Sequence, residues 1–115
     1  MRRRMDLSTI IVNYQSRDAL RDCLTALPEA APGLETEIVV VDNASGDGTP
    51  EMLAREFPAA RLIANRENVG YARAVNQGVR ATSAPLVLLM NPDCELRPAA
   101  ARRLGEFLST HPRAA

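Results

Sequence analysis

Lysine is absent from the 115-residue chain, and all 14 of its basic side chains are arginines. This absence excludes Schiff-base catalysis and the phosphate-binding loop that depends on a lysine. The chain also has no tryptophan and a single histidine, His111, whose place beside Pro112 favours neither a catalytic nor a metal-binding role. Its two cysteines are too few for a disulfide scaffold and predict a reduced, cytoplasmic protein.

Excess charge and long apolar runs are missing as well. Basic and acidic side chains number 14 each, so no net charge draws the chain to nucleic acid or to an anionic membrane, and we expect no nucleic-acid partner. Aromatic residues make up only 3%, which disfavours stacking on single strands. No segment approaches the roughly 20 apolar residues of a transmembrane helix. We expect a flexible basic tail at residues 1–6 and one domain at residues 7–115.

The chain does contain a regular alternation of short apolar runs and amphipathic stretches. Four runs rich in valine, isoleucine and leucine predict strands near residues 7–13, 37–42, 61–64 and 86–90. The stretches between them repeat apolar residues at helical spacing, and a last helix is expected to begin at Pro98. This order predicts an α/β fold, an open and mainly parallel sheet with helices on both faces.

Local signals predict where the helices begin and end. Ser16, Thr49 and Asn68 are candidate N-caps, and Pro28 is expected to end the first helix. Asn76 interrupts an otherwise apolar stripe, so we expect its amide to bond the backbone nearby. The side chains expected on the buried faces of the last two helices are Tyr71, Ala74, Val75, Gly78, Val79, Leu104, Phe107 and Leu108.

Polar residues follow each predicted strand. Ligands of open parallel sheets bind at the carboxyl ends of the strands, so these residues are candidates for a binding site. Asn and Asp are also favoured in turns, and each of them could instead serve the loop that it occupies. The candidates are Asn13-Tyr14, Asp42-Asn43, Asn65 and Asn91-Pro92-Asp93.

Residue spacing excludes several common sites and leaves two open. No G-x-G-x-x-G occurs, the stretch 42–51 departs from a calcium loop at its sixth position, and no Cys/His cluster supports zinc. Asp42 can accept a hydrogen bond from a base N–H or a ribose hydroxyl. Asn91 and Asp93 can share a divalent ion and the diphosphate that it bridges, with a simple turn as the alternative. Gly70 allows the backbone to approach a ligand or a neighbouring strand closely.

Four segments together, in this order and spacing, indicate a family. They are residues 10–14 (IIVNY), 41–49 (VDNASGDGT), 68–78 (NVGYARAVNQG) and 89–93 (LMNPD). The chain resembles glycosyltransferase family 2, most closely its rhamnosyltransferase-like members, from about Leu7 to Pro112. The resemblance implies the nucleotide-binding half of a GT-A fold, with a parallel sheet of strand order 3-2-1-4.

The resemblance also implies roles for the candidate residues. Tyr14 would pack on a pyrimidine base, Asp42 would bond that base, and Asp93 would hold Mg²⁺ or Mn²⁺. Asn91 replaces the first aspartate of the family's Asp-x-Asp and would face ribose or metal with one negative charge fewer. Gly70 occupies a place where some relatives carry an arginine near the base. The implied nucleotide-binding residues are Asn13, Tyr14, Asp42, Asn43, Asn68, Gly70 and Asn91, and the implied metal ligands are Asp93 and Asn91.

The implied activity is that of an inverting glycosyltransferase, which moves a sugar from a nucleoside diphosphate donor to a glycan or a lipid-linked glycan. An ionised Asp42 accepts hydrogen bonds and donates none, which favours uracil or thymine over cytosine and hence a dTDP- or UDP-sugar. The resemblance places the acceptor half and the catalytic base beyond Ala115. We therefore assign no catalytic residue and expect this chain to bind donor and metal without transferring sugar.

Other functions stay open at this stage. The chain could be a non-catalytic nucleotide-binding or interaction domain, or a fragment that forms a homodimer to cover the edge of its sheet. A receiver-like domain is disfavoured because it needs a lysine after a later strand. For the complete enzyme we expect a place in the cytoplasm, including the inner face of the membrane.

Overall fold

Strands and helices alternate along the chain in a computed structural model that describes residues 7–30 and 35–93 and the helical positions 103, 104, 106, 107 and 110. The strands are β1 (Leu7–Asn13), β2 (Thr36–Asp42), β3 (Arg61–Ala64) and β4 (Leu86–Met90). The helices that connect them are α1 (Arg17–Ala30), α2 (Thr49–Glu56) and α3 (Tyr71–Arg80).

All four strands run parallel in the order β3-β2-β1-β4. The predicted fold class, strand positions and strand order are confirmed. The register pairs Asn13, the last residue of β1, with Asp42, the last residue of β2, and it pairs Ile11 with Met90. The carboxyl ends of the strands therefore lie along one edge of the sheet, and the loops that follow them meet there.

Separate apolar clusters bury the two faces of the sheet. Helices α1 and α2 cover one face, where Leu20 and Met52 pack with Ile11. Helix α3 covers the other face, where Ala74 packs with Ile10. The segments Ile10–Val12 of β1 and Ile38–Val41 of β2 are accordingly continuous apolar runs, which is typical of parallel strands covered on both sides.

Helix α3 approaches the sheet closely at Gly78. A Cβ atom added to Gly78 would lie only 2.5 Å from Cγ2 of Ile10. Only glycine allows this separation, because a real Cβ would push the helix away from β1. The contact fixes α3 against the sheet and brings the first residue of the helix to the carboxyl edge.

Three of the predicted helix ends are wrong. Helix α1 continues past Pro28, because a proline in the last turn removes only one hydrogen bond of the helix. Gly48, in a left-handed conformation, is the N-cap of α2 in place of Thr49. Asn68 accepts the backbone N–H of Gly70 inside the loop, and Gly70 is the N-cap of α3.

Several side chains that were predicted to be buried are exposed. Ala74 and Gly78 face the sheet, and Asn76, two residues from each of them, lies on the opposite side of the helix. Within the described part of the chain Asn76 makes no hydrogen bond, so the prediction that its amide bonds the backbone is wrong. Four apolar or aromatic side chains expected to be buried are between 41% and 53% exposed, namely Tyr71, Val79, Leu104 and Phe107.

Some predictions concern residues that the structure does not describe. These are the flexible tail at 1–6, the start of the last helix at Pro98 and the burial of Leu108. Within the described ranges, no helix combines the length and the apolar character needed to cross a membrane.

Candidate functional site

A buried polar cluster joins the ends of β1 and β2. Asn13 Nδ2 donates to Asp42 Oδ1 at 3.0 Å and to Thr49 Oγ1 at 3.2 Å. Ser45 donates to the same carboxylate from its backbone N–H at 3.1 Å and from its hydroxyl at 2.7 Å. Asn13 is 0% exposed and Asp42 is 2% exposed. The Asp42 carboxylate is thus bonded inside the protein, and one of its roughly four acceptor positions is left over.

The same cluster holds the loop that follows β1. Ser45 Oγ accepts the backbone N–H of Gln15 at 2.7 Å. Gln15 adopts a left-handed φ of 49°, which is uncommon for a residue with a side chain. Its Nε2 donates to Tyr14 Oη at 3.2 Å. Asp42 therefore positions the Tyr14 ring through Ser45 and Gln15.

One carboxylate binds the N-termini of two helices. Asp47 Oδ2 accepts the N–H of Arg17 at 3.0 Å, while its Oδ1 accepts the N–H of Thr49 at 3.2 Å and the Thr49 hydroxyl at 2.6 Å. The hydroxyl of Ser16, the predicted cap of α1, donates instead to the carbonyl of Tyr14. Burial alone would raise the pKa of Asp47, but the hydrogen bonds from Thr49 and Arg17 outweigh it and lower that pKa.

Amide side chains fix the loop that precedes α3. Asn43 Oδ1 accepts from Asn65 Nδ2 at 3.0 Å, and Asn65 and Gln77 exchange two hydrogen bonds of 2.9 Å. Asn43 Nδ2 donates to the Gly70 carbonyl at 3.3 Å, and the Gly70 N–H donates to Asn68 Oδ1 at 2.9 Å. Gly70 has a φ of 88°, and a Cβ there would meet no protein atom within 4 Å. Within the described structure, glycine is needed here for its backbone angle rather than for a close contact.

A cleft of about 280 Å³ opens at the carboxyl edge of the sheet. Two tyrosines line it, Tyr14 with 49% and Tyr71 with 53% of its surface exposed. The amides of Asn43, Asn68 and Asn91 also line it. Among the residues that the structure describes, no charged side chain lines the cleft, and the other lining residues are Val12, Ser16 and Pro92.

The predicted nucleotide-binding residues divide between this cleft and the buried cluster. Asn13 and Asp42 belong to the buried cluster, and Gly70 is held by the Asn43 amide. Tyr71 is the aromatic cleft residue that sequence reasoning missed, and Val12 and Ser16 also line the cleft without having been predicted there. The position of Tyr71 directly after Gly70, at the end of the loop that follows β3, is the signal that could have found it. The predicted residues that do line the cleft are Tyr14, Asn43, Asn68 and Asn91.

Asn91 and Asp93, the predicted metal ligands, follow β4 and are exposed. Within the described part of the chain, neither residue makes a hydrogen bond or an ion pair. Carboxylate and amide oxygens are hard ligands that suit Mg²⁺ and Mn²⁺, so these two residues fit such an ion. The described residues contain no group of three or more His, Cys, Asp or Glu side chains that could hold a metal.

Comparison with known proteins places the chain in a family. The model of the family described as Glycosyl transferase family 2 matches residues 8–115. The succinoglycan biosynthesis protein ExoO of Rhizobium meliloti is 35% identical over 103 residues, which cover 88% of this chain and 29% of ExoO. The N-acetylglucosaminyl-diphospho-decaprenol L-rhamnosyltransferase of Mycobacterium tuberculosis is 30% identical over 119 aligned residues, covering 94% of this chain and 38% of that protein. The chain thus spans about a third of the length of these relatives.

Solved structures show the same architecture. The mannosyltransferase PcManGT from Pyrobaculum calidifontis, in complex with GDP-Man and Mn²⁺, is 29% identical with a TM-score of 0.74, and the match covers 91% of this chain and 32% of that chain. S. aureus TarS in complex with UDP is 22% identical with a TM-score of 0.81, and the match covers 94% of this chain and 33% of that chain. At this identity the similarity shows the fold alone. This chain belongs to glycosyltransferase family 2, and its four-stranded parallel sheet with its helices forms the N-terminal part of a GT-A fold.

Proposed function

We propose that this chain is the donor-binding part of an inverting glycosyltransferase and that its cleft receives the nucleoside of a nucleoside diphosphate-sugar. The observation that carries the proposal is the convergence of Tyr14, Asn43, Asn68 and Asn91 on one cleft. A tyrosine ring can stack on a base, and amides both donate and accept hydrogen bonds, as a base and a ribose require. The 29% identical mannosyltransferase in complex with GDP-Man supports a nucleotide-sugar ligand.

The proposed donor is a dTDP- or UDP-sugar. Asp42 keeps an acceptor position beyond its hydrogen bonds with Asn13 and Ser45. A carboxylate in that position suits the N3–H of uracil or thymine, whereas N3 of cytosine is itself an acceptor. The GDP-Man of the mannosyltransferase makes GDP the competing ligand to test.

Asp93 and Asn91 are the proposed ligands of Mg²⁺ or Mn²⁺. When bound, the ion would offset the charge that develops on the leaving diphosphate. Asp93 brings a negative charge and Asn91 a neutral oxygen, so more of the coordination falls to the diphosphate than at a site with two carboxylates. The Mn²⁺ in the mannosyltransferase complex supports this assignment.

We propose that the complete enzyme transfers the sugar in the cytoplasm, at the inner face of the membrane, to a glycan or a lipid-linked glycan. The relative whose name includes diphospho-decaprenol supports a lipid-linked acceptor. Transfer needs a base that deprotonates the acceptor hydroxyl, which typically contributes about 10²–10⁴-fold to the rate. None of the described cleft residues is a carboxylate or a histidine. We therefore expect this chain to bind donor without rapid transfer.

Calorimetric titration of the 115-residue chain tests the proposal. UDP, dTDP, CDP and GDP are compared with and without Mn²⁺, with inorganic pyrophosphate as the control for the phosphates alone. We expect UDP and dTDP to bind more tightly than CDP, and Mn²⁺ to strengthen binding. Absence of nucleotide binding, or pyrophosphate binding as tight as that of UDP, would refute the nucleoside cleft. Tighter binding of CDP or GDP would reassign the base.

A homodimer is the second candidate, and the observation that favours it is the edge strand β4. Val87 and Leu89 of this strand are 41% and 46% exposed. An exposed apolar edge strand is a template for pairing with another chain. We propose that a second copy covers β4, and sedimentation equilibrium would then give twice the mass of the chain. A monomer at micromolar concentration would contradict the homodimer, and it would leave the proposal of nucleotide binding unaffected.

A further inference from the structure

Both tyrosines of the chain line one cleft. The sequence contains two tyrosines and no tryptophan, and Tyr14 and Tyr71 border the same 280 Å³ space. They come from different elements, Tyr14 from the loop after β1 and Tyr71 from the first residue of α3. Each keeps about half of its surface exposed, at 49% and 53%. Two exposed rings at one cleft indicate a ligand with flat faces, since aromatic rings stack on such groups.

The remainder of the cleft is uncharged and combines polar side chains with Val12 and Pro92. Its amides come from Asn43, Asn68 and Asn91, and none of the described lining residues is an arginine, an aspartate or a glutamate. Cationic side chains are the groups that hold a phosphate most strongly, and none of the described lining residues carries one. The lining therefore suits the base and ribose of a nucleotide better than it suits the phosphates.

We propose that Tyr71 forms the second aromatic wall of the nucleoside site, so that the base lies between the rings of Tyr14 and Tyr71. This inference rests on the proposed donor-binding function and adds a binding residue to it. Every base has a π face, so Tyr71 contributes affinity for all nucleotides, whereas Asp42 contributes preference among bases. The ring of Tyr71, and not its hydroxyl, supplies the contact.

The backbone next to Tyr71 is already fixed, which lowers the entropy cost of stacking. The Gly70 N–H donates to Asn68 Oδ1 at 2.9 Å, and the Gly70 carbonyl accepts from Asn43 Nδ2 at 3.3 Å. The opposite ring is held as well, because Tyr14 Oη accepts from Gln15 Nε2 at 3.2 Å. The Tyr14 ring and the backbone that precedes Tyr71 therefore start from ordered positions, so a base that enters the cleft has mainly the Tyr71 side chain to order.

Titration of UDP into matched variants tests the role of the ring. Tyr71→Ala should bind UDP about tenfold more weakly than the parent chain, whereas Tyr71→Phe, which keeps the ring, should stay within about threefold. Val79→Ala is the control, because Val79 lies on the same helix, is 41% exposed and does not line the cleft. Tyr71→Leu replaces Tyr71→Ala if the smaller side chain disturbs the fold.

Tyrosine emission supplies a second, independent measurement. In a Tyr14→Phe chain, Tyr71 is the sole fluorophore excited near 280 nm, since the chain has no tryptophan. Saturating UDP should quench its emission, while inorganic pyrophosphate should not, and N-acetyltyrosinamide at equal absorbance corrects for light absorbed by the nucleotide.

The outcomes separate this inference from the function on which it rests. UDP that binds the parent chain and Tyr71→Ala equally tightly, or that leaves the Tyr71 emission unchanged at saturation, overturns the second wall and leaves donor binding intact. UDP that fails to bind the parent chain overturns the proposed function, and the second wall with it.

Discussion

Two places along the carboxyl edge hold the same pair of residue types in opposite states. At the ends of β1 and β2, Asn13 and Asp42 are 0% and 2% exposed, and they are bonded to each other. After β4, Asn91 and Asp93 are exposed and, within the described residues, make no hydrogen bond or ion pair. The first pair is held within the fold, where Asp42 keeps one acceptor position and Asn13 Oδ1 has no partner among the described residues, whereas both side chains of the second pair are available to a ligand.

The difference follows from the neighbours of each strand. Strands β1 and β2 are inner strands, and the loop and helix that follow β2 bring the hydroxyls of Ser45 and Thr49 within reach of Asn13 and Asp42. Among the described strands, β4 lies at the edge of the sheet, with β1 as its neighbour on one side. Polar residues at strand ends therefore indicate a binding site only where the protein leaves their hydrogen-bonding groups unused.

The largest expected effect tests the buried pair. Asn13→Asp removes the amide that donates to Asp42 and Thr49, and it places a second carboxylate beside the first. Two buried carboxylates cannot both ionise without cost, and breaking a buried polar pair is strongly destabilising. We expect the free energy of unfolding in urea at pH 7 to fall by about 3 kcal/mol. Asn91→Asp is the matched exposed control, and equal stability of the two variants would abolish the contrast between the pairs.

The second-largest effect is expected at Asp47, whose carboxylate lies in the loop between β2 and α2. Asp47→Ala removes the acceptor for the first N–H groups of α1 and α2. A lost cap costs about 1 kcal/mol, so we expect a loss of about 2 kcal/mol in urea unfolding at pH 7. Asp18→Ala, in the exposed first turn of α1, is the control and should stay within about 0.5 kcal/mol of the parent chain. A loss no larger than that of the control would show that the caps contribute little.

The stabilisation by Asp47 should depend on pH. Its pKa in the folded chain lies below the ordinary value of 3.8, so the unfolded chain takes up the proton first as the pH falls. The stability advantage over Asp47→Ala is therefore complete above the ordinary value and declines as the pH falls toward the lowered value. We expect a constant advantage between about pH 5 and about pH 7 and a shrinking one below about pH 4. If the unfolding free energies of the parent chain and Asp47→Ala differed by a constant amount down to about pH 2, the stabilisation would not come from the lowered pKa of Asp47.

A smaller effect is expected at the exposed pair, on binding and not on stability. Asp93→Ala removes the charged ligand of the proposed metal site. UDP affinity in the presence of Mn²⁺ should fall about tenfold, or ~1.4 kcal/mol, and affinity without metal should stay unchanged. Calorimetry measures both. An equal loss with and without Mn²⁺ would assign Asp93 to the nucleotide instead of the ion.

Much of the fold could be predicted because strands buried on both faces leave a clear pattern. The run from Ile38 to Val41 is continuously apolar, as a covered parallel strand requires. The order of the strands came from the family resemblance. Helix ends were predicted less well, because the group that caps α1 is Asp47, which belongs to a different loop. Local sequence signals do not contain such a tertiary contact.

The candidate site could be predicted as a set of residues but not as an arrangement. Asp42 and Asp93 each follow an apolar strand, and nothing local shows that Ser45 binds only the first of them. Tyr71 has the spacing of a buried helical stripe, yet it is the first residue of α3 and lines the cleft. Long-range packing decides which polar groups form hydrogen bonds within the fold, and a single sequence does not show that packing.

The smallest expected effect is a gain at the exposed pair. Asn91→Asp adds a carboxylate near Asp93 at a position surrounded by water, where like charges are screened and a divalent ion offsets them. Affinity for such an ion rises with the charge of its ligands. We expect Mn²⁺ to bind about fivefold more tightly in the presence of UDP, or ~1 kcal/mol, with the free energy of unfolding within about 0.5 kcal/mol of the parent chain. The same change of residue type at Asn13 is expected to destabilise the fold, so opposite outcomes of one substitution would establish the contrast. Weaker Mn²⁺ binding by Asn91→Asp would instead assign Asn91 to the ribose, the other role that its position in the family implies, and would leave Asp93 as the metal ligand.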